Sequence, residues 1–121
     1  MASRFTELVI DSHDPERLAG FWQEVLGCPT LERADDGEAY VSISGGGSPV
    51  ELVFTPVQES KEVKNRIHID VNASDRDQAE EVERLLALGA RHADVGQGDV
   101  TWVVLADPEG NEFCVLRSRV D

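Results

Sequence analysis

Ionisable side chains that could do chemistry lie at alternate positions of two short segments with apolar residues between them. Glu7 lies in the segment 5–10, and His68 lies between Arg66 and Asp70 in the segment 66–71. Residues two apart on a β-strand share a face, so Arg66, His68 and Asp70 would lie on one side of their strand. Carboxylate and imidazole groups bind metal ions, and such a face could hold one inside a concave pocket. The alternative is an ordinary solvated sheet face, which needs no ligand.

The two segments belong to an internal duplication. Glu7 and His68 are 61 residues apart, and so are the helix-starting residues Asp14 and Asp75. Gly27 and Gly89, each expected to end a helix, are 62 residues apart. The offset between these matching residues is constant to within one residue, which predicts two copies of one unit.

Each copy is predicted to contain one strand, one helix and three further strands. Apolar residues recur at helical spacing over 14–26 and 75–88. The predicted strands cover residues 5–10, 29–33, 38–44 and 49–56 in the first copy, and 67–71, 91–95, 100–106 and 112–118 in the second. Asp36 and Gly37 mark one of the turns between strands. The sequence therefore predicts an α+β fold with the order βαβββ twice, as modules of about 1–57 and 65–121 within one domain, 1–121.

Composition limits the class of partner. The net charge of −13 repels phosphate backbones, so we expect no nucleic acid partner. No apolar run reaches the length of a membrane span, and the first residues lack the apolar core of a signal peptide, so we expect a cytoplasmic protein and no membrane partner. Cys28 and Cys114 are too far apart in sequence for a CxxC motif, and we expect no disulfide between them.

The duplicated pattern resembles the vicinal oxygen chelate superfamily, which includes glyoxalase I, the bleomycin- and fosfomycin-resistance proteins and the extradiol dioxygenases. The resemblance rests on Asp14-Pro15-Glu16-Arg17 leading to Phe21-Trp22 and Val25-Leu26-Gly27, and on the turn Asp107-Pro108-Glu109-Gly110-Asn111 before the last strand. It implies a curved mixed sheet with a cup-shaped cavity and helices on the outer face. It also implies a small-molecule ligand or substrate and a homodimer.

The resemblance also implies where a metal would bind. Catalytic members carry ligands on the first and last strands of each module, which correspond here to Glu7, Glu51, His68 and Cys114. Cys114 departs from the pattern, because that position usually holds glutamate. A thiol weakens a site for Mg²⁺ or Mn²⁺, whereas Zn²⁺ accepts O, N and S donors, so zinc is the divalent metal most compatible with this set.

Two functions follow as alternatives. In the first, the protein binds a small molecule in the cup without a fully standard metal site. Its predicted ligand-binding residues are charged or aromatic: Arg66, Asp70, Tyr40, Phe54 and Trp102. In the second, it is a divalent-metal-dependent lyase or isomerase of glyoxalase type, in which His68 helps to hold the ion and Glu51 or Glu7 is the catalytic proton carrier.

Overall fold

A computed structural model describes residues 2–35 and 39–120. The described residues form two helices and eight strands, in the order that the sequence predicts. The predicted turn at Asp36 and Gly37 lies outside the described residues. The chain divides into two compact units, Met1–Ser60 and Lys61–Asp121.

The first unit contains β1 (Glu7–Ser12), α1 (Pro15–Leu26), β2 (Thr30–Asp35), β3 (Ala39–Ser44) and β4 (Glu51–Pro56). Its strands form a mixed sheet in the order β1-β4-β3-β2, with β1 parallel to β4. Helix α1 packs on one face of this sheet, against β1, β3 and β4.

Helix α1 has the boundaries that its end residues favour. The carboxylate of Asp14 accepts a hydrogen bond from the backbone N–H of Arg17, and Pro15 occupies the first turn, where it needs no N–H partner. Gly27 ends the helix with φ of 62°, a conformation that glycine adopts without steric cost. The buried stripe includes Leu18, Phe21, Trp22 and Val25, as predicted.

The second unit contains β5 (Ile69–Val71), α2 (Gln78–Leu88), β6 (Arg91–His92), β7 (Val103–Ala106) and β8 (Glu112–Val115). Its sheet has the same pattern, β5-β8-β7-β6, with β5 parallel to β8. The strands are shorter than predicted. Ile67, the first residue of the predicted strand 67–71, precedes β5 and is 71% exposed.

Helix α2 begins three residues after the predicted start at residue 75. Asp77 is the capping residue: its carboxylate accepts from the backbone N–H of Glu80 at 2.8 Å, and the Glu80 side chain bonds back to the Asp77 N–H. Asp75 forms an ion pair with Arg76 instead. Two aspartates compete for the cap here, and the capping box formed with Glu80 favours the later one.

Within the part of the chain that the structure describes, neither helix has the length and hydropathy needed to cross a membrane.

Candidate functional site

Glu7 and Glu51 are neighbours on the first sheet. β1 and β4 run parallel, and Glu7 pairs in register with Glu51. Because paired residues of adjacent strands point to the same face, both carboxylates lie on the face opposite that of Leu8 and Leu52. Glu7 is exposed and Glu51 is half-buried. Two of the candidate residues therefore lie side by side on one sheet face.

The same face continues as a polar surface. Thr55 donates a hydrogen bond from its hydroxyl to the carboxylate of Asp11 at 3.1 Å. On β3, Ser42 pairs with Val53 of this face, and alternation places the half-buried Tyr40 there as well. Tyr40, predicted to contact a ligand, therefore shares a sheet face with Glu7 and Glu51.

Phe54 lies on the opposite face. It pairs with Ile10 of β1 and with Val41 of β3, and its side chain is 0% exposed. Its ring is part of the core beneath α1, because position 54 has the opposite parity to Glu51 on β4. We therefore assign Phe54 to the core and no longer to the ligand-binding residues.

His68, Asp70 and Cys114 converge on the second sheet. Nδ1 of His68 is 3.0 Å from Oδ1 of Asp70. Asp70 pairs in register with Cys114 across the parallel strands β5 and β8. One donor atom from each of the three side chains lies within 4.8 Å of the other two. Two of the four predicted metal ligands thus meet, together with Asp70, inside one unit.

The Cys114 thiol is held in its protonated form. It is 7% exposed, and this burial is the main cause that raises its pKa. The negative charge of the neighbouring Asp70 carboxylate raises the pKa further, while Lys64 acts in the opposite direction. A neutral thiol is a poor ligand until a metal ion displaces its proton.

Arg66 and Trp102 lie at the surface of the second unit. Arg66 is exposed and precedes β5, and the Trp102 side chain is 40% exposed directly before β7 begins. By contrast, Trp22 is 1% exposed in the core. Trp102 is thus a surface aromatic group that a ligand can reach.

A buried aspartate shapes the turn before β8. Asp107 is 0% exposed, and its carboxylate accepts from the backbone N–H groups of Glu109 and Asn111 and from the Asn111 amide. Gly110, with φ of 92°, completes the turn. The motif that carries the resemblance is therefore a structural turn that sets the position of β8 and of Cys114.

Sequence reasoning missed two features of the second unit. The ligand set implied by the resemblance omits Asp70, although its spacing of two from His68 places both side chains on one strand face. Sequence reasoning also missed Glu112, which accepts hydrogen bonds from Lys61 at 2.9 Å and from the backbone N–H of Asn65. These contacts fix the segment before β5 against the start of β8, and no spacing rule in the sequence indicates them.

The chain is similar to a known protein family and to several solved structures. A family model for a glyoxalase-like domain matches residues 7–116. No curated protein matches the chain. The fosfomycin resistance protein FosX from Mesorhizobium loti is similar in structure, with a TM-score of 0.72, 16% identity, and coverage of 98% of this chain and 94% of that chain.

Two further solved structures share the fold. A FosX variant from Listeria monocytogenes, complexed with Mn(II) and 1S,2S-dihydroxypropylphosphonic acid, has a TM-score of 0.74, 15% identity, and coverage of 98% and 94% of the two chains. Glyoxalase I from Leishmania major has a TM-score of 0.63, 19% identity, and coverage of 96% and 87%. The match to the family model over residues 7–116 shows that the chain belongs to the glyoxalase-like domain family, and the solved structures show that it shares their fold.

Proposed function

We propose that this protein binds a small molecule on the polar faces of its two sheets, with a metal site that differs from the standard one of its superfamily. The observation that carries the proposal is the contact between Cys114 and Asp70. Cys114 stands where the resemblance leads us to expect a metal-binding glutamate, and its buried side chain lies beside the Asp70 carboxylate, with donor atoms of the two residues within 4.8 Å of each other.

The chemistry of this contact disfavours a hard metal ion. Mg²⁺ and Mn²⁺ prefer oxygen ligands, and a neutral thiol in place of a carboxylate removes one of them. A set of carboxylate and imidazole donors that also contains the Cys114 thiol therefore fits Mg²⁺ or Mn²⁺ poorly. It remains compatible with Zn²⁺, which accepts all three donor types.

The residues around these faces favour a planar or largely apolar ligand with a polar edge. Tyr40 and Trp102 offer aromatic surface, and Arg66 offers a cationic group. Small-molecule sites commonly combine aromatic walls with a few polar groups. Resistance proteins of the superfamily, which sequester small molecules, are the functional class that this composition supports.

Fluorescence of Trp102 can test the proposal with 8-anilinonaphthalene-1-sulfonate and bleomycin as probes, in chelator-treated protein. We expect saturable binding, reported by a change in tryptophan emission. Trp102→Phe should abolish the emission change, because the remaining tryptophan, Trp22, is buried in the core. Tyr40→Ala should weaken binding about tenfold, which corresponds to the loss of about 1.4 kcal/mol of binding free energy. Binding that is non-saturable, or that neither Tyr40→Ala nor Trp102→Ala weakens, would contradict the proposal.

A second candidate is the metal-dependent lyase or isomerase. The pairing of Glu7 with Glu51 favours it, because adjacent carboxylates can hold a cation or move a proton. A bound divalent ion would polarise two neighbouring oxygen atoms of the substrate. Glu51 or Glu7 would move a proton from one carbon atom of the substrate to another.

The lyase candidate is tested by turnover of the hemithioacetal of methylglyoxal and glutathione, with Zn²⁺, Ni²⁺ or Mn²⁺ added. Glu51→Gln should reduce kcat by about 10²–10⁴ if Glu51 moves the proton. Absence of turnover with every metal would exclude this candidate and leave the binding proposal intact.

We also propose that the protein is a homodimer. The strand order of each sheet leaves terminal strands whose backbone groups a second copy could cover. Sedimentation at micromolar concentration should show a species of twice 13.3 kDa. A purely monomeric species would contradict the dimer.

A further inference from the structure

The cluster of His68, Asp70 and Cys114 differs in one respect from the ligands that the resemblance implies, which are Glu7, Glu51, His68 and Cys114. All three residues belong to the unit Lys61–Asp121, and they supply one nitrogen, one oxygen and one sulfur donor. No residue of the first unit is needed to complete this cluster. Asp70 is the added member, since the superfamily pattern did not mark it as a ligand.

Backbone pairing holds the three donors together. The parallel register of Asp70 with Cys114 places their side chains on one face of the second sheet. His68 lies two residues before Asp70, and its ring contacts the Asp70 carboxylate at 3.0 Å. The cluster is therefore set by the β5–β8 ladder and not by a flexible loop.

We propose that the second unit alone binds one Zn²⁺ ion through His68, Asp70 and Cys114. Nitrogen, oxygen and sulfur donors are those that zinc accepts, and three protein ligands leave its fourth position open. Donors around tetrahedral zinc are about 3.3–3.8 Å apart, given Zn–ligand distances of about 2.0–2.3 Å. The three donor atoms, all within 4.8 Å of one another, need only small side-chain movements to reach that spacing.

Access and proton balance are consistent with the site. The His68 and Asp70 side chains are 45% and 43% exposed, whereas Cys114 is 7% exposed, so an ion would approach from the His68–Asp70 side. With the ion bound, the Cys114 sulfur would be deprotonated, its proton released to solvent. An Asp70 carboxylate oxygen would hold the same ion.

The experiment uses the full chain after chelator treatment, titrated with Zn²⁺ in competition with a fluorescent zinc indicator. Co²⁺ is titrated in parallel, since a cobalt–thiolate charge-transfer band reports a metal bond to cysteine. The variants that remove a proposed ligand are His68→Ala, Asp70→Ala and Cys114→Ser. The matched controls are Glu7→Gln and Glu51→Gln on the first sheet and Cys28→Ala for the other buried thiol.

We expect one zinc per chain, at least about 100-fold weaker binding in each ligand variant, and less than a threefold change in each control. The cobalt band should vanish in Cys114→Ser and persist in Cys28→Ala. Unfolding temperatures without metal should show that the exposed His68 and Asp70 variants remain folded.

Several results would overturn this inference. They are an absence of zinc binding at micromolar concentration, an equal loss of affinity in Glu7→Gln or Glu51→Gln, or retention of affinity in Asp70→Ala. The zinc site goes beyond the proposed function, because small-molecule binding is measured in chelator-treated protein and therefore needs no metal. Failure of zinc binding with intact probe binding would therefore reject this site only.

Discussion

Cys114 and Asp70 are the residues on which the proposed metal preference depends. The parallel register of β5 and β8 puts a thiol against a carboxylate, where the superfamily pattern would put a second carboxylate. A protonated thiol can lie beside Asp70 without charge repulsion, whereas a second carboxylate there would repel it in the absence of a cation. We therefore expect the cysteine to change both the metal preference and the stability of the metal-free protein.

The variant Cys114→Glu tests this residue-scale interpretation. We expect it to lower the free energy of unfolding of the metal-free protein by about 1–3 kcal/mol, because a carboxylate would be introduced at the buried position 114, beside the carboxylate of Asp70. Mn²⁺ should recover most of that loss, since the site gains a hard oxygen ligand. Thermal unfolding with and without Mn²⁺ measures both effects.

Cys114→Ser is the matched control for that variant, because it removes the thiol without adding a charge. It should show no recovery by Mn²⁺. A Cys114→Glu protein as stable as the wild type without metal would contradict the repulsion argument.

At the scale of the elements, the helices and the turns position these residues, and the sequence indicates most of them. Asp14, Pro15 and Gly27 gave the ends of α1 because each has a specific local role in capping. The start of α2 was predicted at residue 75 because two aspartates two residues apart can each act as the cap, and only the capping box with Glu80 distinguishes them. The Lys61–Glu112 contact joins residues 51 apart in sequence, so no local pattern could predict it.

The cap of α2 provides an element-scale prediction. Asp77→Ala should lower the free energy of unfolding by about 1 kcal/mol, since it removes the acceptor for the Glu80 N–H. Asp75→Ala should have a clearly smaller effect, because the Asp75 side chain is 69% exposed and its pair with Arg76 is screened by solvent. Urea unfolding of the two variants measures the difference, and equal losses would contradict the assignment of Asp77 as the cap.

The contact between Lys61 and Glu112 provides a prediction of pH dependence. Burial alone would raise the pKa of Glu112, but hydrogen bonds from Lys61 and from backbone N–H groups lower it below its ordinary value of 4.5. A lowered pKa in the folded state means that the ionised carboxylate stabilises the fold at neutral pH. That stabilisation is lost as the pH falls below about 4.5 through the folded-state pKa.

Glu112→Gln should therefore cost about 1 kcal/mol at pH 7, with a smaller cost as the pH falls below that value. The exposed Glu83 on α2 offers the matched control, since Glu83→Gln should have an effect within about 0.5 kcal/mol at every pH. Unfolding free energies measured from pH 7 to pH 3 test this expectation. A cost for Glu112→Gln that does not change with pH would contradict it.

At the scale of the whole molecule, one βαβββ plan is used twice with different chemistry on each sheet. The constant offset between Glu7 and His68, Asp14 and Asp75 predicted the duplication, because both copies need the same strand and helix positions. The duplication could not reveal that the first sheet pairs two carboxylates while the second gathers imidazole, carboxylate and thiol. That difference depends on strand register, which a single sequence does not specify for strands far apart in the chain.

The proposed binding of a small molecule at the polar sheet faces is tested most directly by locating the residues that respond to the ligand. Backbone amide shifts of the ¹⁵N-labelled, chelator-treated protein can be followed during titration with 8-anilinonaphthalene-1-sulfonate. We expect saturable shifts of the amide signals of β1, β4, β5 and β8, including those of Glu7, Glu51, Asp70 and Cys114. The amide signals at the exposed surfaces of α1 and α2 should shift little. Shifts concentrated on the helices, or no saturable shifts at these four residues, would contradict binding at the polar sheet faces.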